Sequence, residues 1–212
     1  MEQVMQMRKI LFSLAAGLLV LGTSAQAMKF ISVNYPGIYC HFAQGCQVSP
    51  AEQSDNFAPS NSEATCTLES RSFPGSTIDS TGQYGYEYRV TINDNNPNDT
   101  NIVTVDSLTL KFGEPAYFPF GGHASNQLWV VTSGGTDGYA PTGASVNGQK
   151  VVITFDPPIA LDASTNQSAG SLYFGMVSSN APEVTKATLT GSVQDYTNDP
   201  VPFSATLQAQ TP

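Results

Sequence analysis

The chain has 212 residues, of which 17 are acidic and 8 are lysines or arginines, and its net charge is −9. A chain this acidic is poorly suited to nucleic acids, whose phosphates must be neutralised by lysines and arginines, and poorly suited to docking onto anionic lipid. Because 40% of the chain is hydrophobic and only 12% is charged, we expect one domain with a substantial core and a surface made polar mainly by Ser, Thr, Asn and Gln.

Residues 1–27 have the pattern of a secretory signal peptide. Arg8 and Lys9 precede an apolar run at residues 10–21, and the small residues on either side of Gln26 form a cleavage site. The run is shorter than the ~20 residues of a membrane-spanning helix, so we expect no membrane insertion of the mature chain. The pattern predicts a bacterial protein, secreted or periplasmic, with one mature domain at residues 28–212.

Three cysteines follow the predicted leader, and an exported protein is expected to join two of them in a disulfide. Two-residue alternation places Cys40 and Cys66 on the same faces as their apolar neighbours, so we predict a Cys40–Cys66 disulfide. The alternative is a small loop closed by Cys40 and Cys46, which follows a glycine turn. Three cysteines and His41 match no zinc spacing, and we expect no zinc site.

Apolar and polar residues alternate at a period of two almost throughout the mature chain, which is typical of half-buried strands. Residues 47–63 are polar and contain prolines, and they are predicted to form a long loop. The clearest predicted strands lie at residues 84–92, 127–132, 151–155, 172–176, 187–193 and 201–209. About nine or ten strands without a helical stripe predict an all-β fold, an antiparallel β-sandwich of jelly-roll or Ig-like type, with a closed barrel as the alternative.

Tyr84, Tyr86 and Tyr88 form a row on one face of a predicted strand. The row continues in phase into Val90, which requires burial. We therefore predict that these tyrosines pack in the core and do not form a binding platform, and we expect the same of Trp129, which is flanked by Leu and Val.

The alternation changes phase within residues 102–112, where Val103 and Val105 occupy odd positions but Leu108 and Leu110 occupy even ones. A straight strand would expose one of the two pairs. We therefore predict a bulge at Asp106-Ser107, which returns both pairs to the core.

The loop after residue 92 is rich in the hard oxygen ligands that calcium prefers. The candidate ligands are Asp94, Asn96, Asn98 and Asp99. An EF-hand is absent, because the sixth and twelfth positions counted from Asp94 are Asp99 and Val105, not Gly and Glu. Asn and Asp are also favoured turn residues, so an ordinary hairpin loop is the alternative, and we expect no other cofactor.

Residues 113–129 combine aromatic rings with polar groups in a glycine-bearing segment. Aromatic faces cover the C–H surface of a sugar, while amides or an imidazole bind its hydroxyls, so the segment is a candidate ligand-binding loop. The candidate ligand-binding residues are Tyr117, Phe118, Phe120, His123 and Asn126. The alternative is that these aromatics cap one end of the core.

The sequence contains no recognisable catalytic motif, and we predict that the protein is not an enzyme. The carboxylates considered for glycoside hydrolysis are Glu69, Glu87, Asp106 and Asp156. Nothing in the sequence indicates that any two of these carboxylates lie close together in the fold. Glu87 alternates outward with Arg89, so we interpret those two residues as a solvated surface pair.

These features predict a secreted, non-catalytic β-sandwich protein that binds an extracellular glycan or another surface polymer through residues 113–129. One alternative is a structural or assembly subunit of fimbrial or matrix type, whose C-terminal strand at residues 201–209 pairs with the sheet edge of a protein partner. The other alternative is a secreted hydrolase. The oligomeric state is left open.

Overall fold

Strands make up most of the described part of the chain, as two-residue alternation predicts. The computed structural model describes residues 25–96, 99–120, 123–133, 138–162, 168–195 and 199–212, so most of the predicted leader lies outside the described residues. The described elements are β1 (Gln26–Ala27), β2 (Phe30–Asn34), α1 (Gly37–Phe42), β3 (Ala51–Phe57), β4 (Thr65–Pro74), β5 (Tyr84–Asn93), β6 (Ile102–Lys111), β7 (Phe118–Phe120), β8 (His123–Asn126), β9 (Leu128–Ser133), β10 (Gly143–Asn147), β11 (Lys150–Asp162), β12 (Ser168–Gly170), β13 (Phe174–Ser178), β14 (Glu183–Gln194) and β15 (Val201–Thr211).

The strands form two large sheets and one small one. The six-stranded sheet has the order β1-β10-β11-β6-β14-β15, and the seven-stranded sheet has the order β2-β9-β13-β5-β4-β3, with β12 also paired to β5. The pair β2–β9 is parallel, and β7 and β8 form a separate two-stranded sheet. The regular structure is nearly all strand, so the predicted all-β class is correct. Within the described residues neither large sheet closes on itself, so the barrel alternative is wrong.

One apolar cluster lies between the two large sheets. Tyr86 and Tyr88 of β5 are fully buried there, together with Leu108 of β6 and Leu189 of β14. The hydroxyl of Tyr86 donates to the carbonyl of Asn180 at 2.8 Å, so its polar end is satisfied. Core packing of the tyrosine row is therefore confirmed.

The predicted bulge is present in β6. Ser107 pairs with Thr190 of β14 and Val105 pairs with Gly191, so Asp106 has no partner on that strand. The extra residue returns the side chains on both sides of it to the core, as the phase change requires. The core residues contributed by β6 are Val103, Val105, Leu108 and Leu110.

Residues 47–63 are not simply a loop, and this prediction is wrong. Residues 51–57 form β3, which pairs along its full length with β4. The strand is at the edge of its sheet, and its side chains are exposed or half-buried, so it lacks the apolar alternation from which strands were predicted. Pairing with β4 supplies the stability that burial does not.

The C-terminal strand β15 forms a long hairpin with β14, from the Glu183–Thr211 pair to the Val193–Val201 pair. Two of its backbone N–H groups are bound by side chains of the other sheet. Gln208 N donates to Asp55 at 2.8 Å, and Gln210 N donates to Ser70 at 2.9 Å. This part of the sheet edge is therefore satisfied within the chain.

A second apolar cluster covers one end of the outer face of the seven-stranded sheet. It contains Ile38 and Phe42 of α1, Phe73 of β4, Phe118 of β7 and Trp129 of β9. Trp129 is buried as predicted, but in this outer cluster. At the opposite end of the same face, Thr67 and Thr91 are half-buried and lie outside this cluster.

The predicted Cys40–Cys66 disulfide is wrong, and the alternative Cys40–Cys46 is present. Residues 38–42 are helical, and the buried side chains are Ile38, His41 and Phe42, at helical spacing. Cys40 consequently points away from the core, where it reaches Cys46, while Cys66 is a buried free thiol in β4. A disulfide is consistent with export to an oxidising compartment. Within the described residues, no helix is long and apolar enough to cross a membrane.

Candidate functional site

The predicted ligand-binding loop packs largely inward. Tyr117 is 51% exposed, whereas Phe118 is fully buried and its ring centroid lies 5.3 Å from that of Trp129. Phe120 is half-buried, and the buried Asn126 amide donates to its carbonyl at 3.2 Å. Phe118 therefore has no free face for a sugar. The side chain of His123 lies outside the described residues, and a binding role for the segment stays a prediction.

The predicted calcium loop uses its carboxylates to hold the loop together. Asp99 accepts hydrogen bonds from the Ser62 hydroxyl at 3.0 Å and from the Glu63 N–H at 2.9 Å. Asp94 accepts one from the Asn96 N–H at 2.8 Å. Asn98 lies outside the described residues. In the part of the chain that is described, no group of three metal-ligating side chains comes together, and calcium binding stays untested.

Charged residues of β4 and β5 form a checkerboard on the outer face of the seven-stranded sheet. Glu69 pairs with Arg89, and Arg71 pairs with Glu87, in adjacent rows of the antiparallel ladder. The even-numbered neighbours on both strands are buried in the core, so these odd-numbered residues point outward. Each carboxylate therefore lies opposite a guanidinium, which is the favourable cross-strand arrangement.

Both guanidiniums pack on Tyr173, and we call Arg71, Arg89 and Tyr173 the Arg–Tyr–Arg cluster. The Arg71 and Arg89 groups lie 4.4 and 5.5 Å from the centroid of the tyrosine ring. Arg71 donates to the Tyr173 hydroxyl, which in turn donates to Glu69 at 3.3 Å. The chain has only three arginines, one of them in the predicted leader, so every arginine of the mature chain is in this cluster.

Two further contacts fix the guanidiniums. Arg71 lies 3.4 Å from a carboxylate oxygen of Glu52 on β3, and Arg89 lies 4.0 Å from one of Glu69. The two arginine side chains are each about one quarter exposed, at 24% and 23%. They are therefore held in place while about a quarter of each side chain stays accessible.

Glu87 is buried, and its interpretation as a solvated surface residue is wrong. Its carboxylate accepts hydrogen bonds from the hydroxyls of Tyr35 at 3.1 Å and Tyr39 at 3.2 Å, and from the indole N–H of Trp129 at 3.3 Å. Burial raises the pKa of Glu87 to about 7, although these donors and the nearby charge of Arg71 oppose the rise.

A glycine lets the Trp129 indole reach Glu87. Gly175 of β13 lies in register between Trp129 on β9 and Glu87 on β5. A Cβ atom at Gly175 would come within 2.3 Å of the indole ring, so only glycine fits between them. Sequence alternation could not reveal this network, because it shows which face a residue is on but not what covers that face.

Two shallow hollows flank the checkerboard and meet at Glu69. One, of about 320 Å³, is lined by Arg89, Thr91, Asn93 and residues 168–170. The other, of about 210 Å³, is lined by Glu52, Arg71 and their neighbours on β3 and β4. Together they offer carboxylate acceptors, guanidinium donors, a hydroxyl and an amide along one surface, which suits a ligand with many hydroxyl groups.

Comparison of the chain with known protein families, with curated proteins and with solved structures finds no significant match.

Proposed function

We propose that the protein is an exported, non-catalytic β-sandwich protein that binds a neutral glycan on the outer face of its seven-stranded sheet. The observation that supports this most directly is the Arg–Tyr–Arg cluster with Glu69 bound to its centre. Sugar hydroxyls both donate and accept hydrogen bonds, and alternating carboxylates and guanidiniums supply both partners. Because the side chains are already fixed by one another, binding costs little side-chain entropy.

Other ligand classes fit this surface less well. An anionic ligand would meet the carboxylates of Glu52 and Glu69 beside the arginines. An apolar ligand would bury these charges without a partner, which is costly. A glycoside hydrolase would need a pair of free carboxylates, and Glu87 does not supply one, because both of its oxygens are occupied by Tyr35, Tyr39 and Trp129 inside the protein.

The test compares two variants against a panel of neutral polysaccharides by affinity electrophoresis. Arg89→Gln removes charged donors at the proposed site, and we expect it to weaken binding roughly tenfold, the loss typical of a hydrogen bond to a charged group. Tyr117→Ala alters the exposed aromatic of residues 113–129 and serves as the matched control, which should bind like the parent.

If Tyr117→Ala lost binding while Arg89→Gln retained it, the glycan would bind at residues 113–129 and not at the proposed site. Failure of the parent protein to bind any neutral polysaccharide would contradict the proposal altogether. Urea unfolding of both variants shows whether a loss of binding reflects a loss of folding.

A further inference from the structure

Three of the five lysines in the chain lie side by side on the outer face of the six-stranded sheet. Lys111 at the end of β6 pairs directly with Lys150 at the start of β11. On the other side of β6, Leu110 pairs with Ala187 of β14, so the next step of the register brings Lys186 opposite Lys111. We call Lys111, Lys150 and Lys186 the lysine row.

The lysine row faces solvent. Leu110, Val151 and Ala187, the sequence neighbours of the three lysines, are buried in the core, so the lysines point to the opposite face. All three are exposed. Within the described residues, none of them has a carboxylate within ion-pair distance.

This arrangement has no evident structural purpose. Like charges directly opposite each other on neighbouring strands are destabilising. Lysines often protect sheet edges from unwanted pairing, but β6, β11 and β14 are the inner strands of this sheet. In a chain with a net charge of −9, an isolated group of positive charges is therefore a feature that a ligand would explain.

The rows next to the lysines carry no charge and are rich in hydroxyls, with Val152 of β11 as the apolar residue opposite Thr109. Thr109 pairs with Thr188, which pairs with Thr206 of β15, and Ser107 pairs with Thr190 in the next row. The Ser107 and Thr190 hydroxyls lie 2.7 Å apart. The face thus combines three ammonium groups, spread over roughly 10 Å across three strands, with neighbouring rows that are rich in hydroxyls.

We propose that this face binds an acidic polysaccharide, with the lysine row pairing with its carboxylates and the threonine and serine hydroxyls binding its sugar hydroxyls. The site is on the sheet opposite the Arg–Tyr–Arg cluster and does not depend on it. A membrane or a nucleic acid carries far more negative charge than three lysines neutralise, and would also face the acidic remainder of the chain. A single flexible acidic chain need touch only this face.

The test measures binding of the full chain to immobilised polygalacturonate and to its methyl ester, which has the same backbone without the charges. We expect tighter binding to the acid than to the ester, and weaker binding as salt is raised. The variant K111Q/K150Q/K186Q should bind polygalacturonate roughly tenfold more weakly. Each exposed ion pair is weak by itself, but the loss of all three together adds up to about that factor.

A charge-matched control separates the lysine row from net charge. Q44E/Q47E/T81E changes the net charge equally at exposed residues around α1, on the other side of the molecule, and should bind like the parent. Arg89→Gln should also leave this binding unchanged, so failure here is distinct from failure at the neutral-glycan site. Parent-like binding by the lysine variant, equal loss in the control, or binding to phosphatidylglycerol vesicles without binding to polygalacturonate would each overturn the proposal.

Discussion

The buried Glu87 predicts an unusual pH dependence of stability. Its pKa is raised from 4.5 to about 7 in the folded protein, so the folded chain holds this proton more tightly than the unfolded chain does. The protonated form therefore stabilises the fold. This contribution is complete below pH 4.5, declines as the pH rises towards 7, and is absent above that. The difference corresponds to about 3 kcal/mol.

Glu87→Gln tests this expectation because glutamine is a neutral group of the same shape. We expect the variant to match the parent below pH 4.5 and to exceed its free energy of unfolding by up to about 3 kcal/mol above pH 7. Urea unfolding at a series of pH values can be followed by the fluorescence of Trp129, the only tryptophan, which donates to Glu87.

Glu69→Gln provides the matched control, because Glu69 lies on the same face but is 37% exposed. The free energy of unfolding of Glu69→Gln should still fall between pH 4.5 and 7, as it does in the parent. That of Glu87→Gln should not fall in this range. Burial acts to raise the pKa of Asp99, but hydrogen bonds from the Glu63 and Asn101 N–H groups together outweigh it and lower the pKa. The stability that Asp99 contributes is therefore lost only at lower pH, outside this window. A parent protein with constant or rising stability across this window, or a Glu87→Gln variant with the parent's profile, would refute the reasoning.

Two further variants and one labelling experiment test the packing around the site. Replacing Cys40 and Cys46 with serine should lower the free energy of unfolding by about 2 kcal/mol, measured by urea unfolding, because the disulfide closes a short loop. Burial raises the pKa of the Cys66 thiol to about 12, so it should react with a thiol reagent only after unfolding, as mass spectrometry can show. Gly175→Ala should cost about 1–3 kcal/mol and shift the emission of Trp129, since the added methyl group meets the indole; an unchanged emission spectrum would contradict this.

The alternation of apolar and polar residues predicted those features of the fold that depend only on neighbouring residues along a strand. The burial of Tyr86 and Tyr88 and the bulge at Asp106 were predictable, because an apolar face must be buried wherever the strand lies. The same pattern could not reveal β3, whose side chains are mostly polar because it is an edge strand. The pairing with β4 that stabilises β3 cannot be seen in the local sequence of β3.

The errors around the site have one physical cause. Glu87 does point away from the main core, as predicted, but α1 and β2 cover that end of the sheet and bury it. The helix itself was missed because Ile38 and Phe42 fit a two-residue and a four-residue spacing equally well. That ambiguity also produced the wrong partner for Cys40, since a helical Cys40 is on the opposite side from the core.

Amide hydrogen exchange with and without a bound neutral polysaccharide tests the proposed function most directly, because it locates the ligand. Added protection should appear in β4, β5 and β12, around Glu69, Arg89 and Asn93. Protection confined to residues 117–126, or no protected segment on the seven-stranded sheet, would contradict the proposed site.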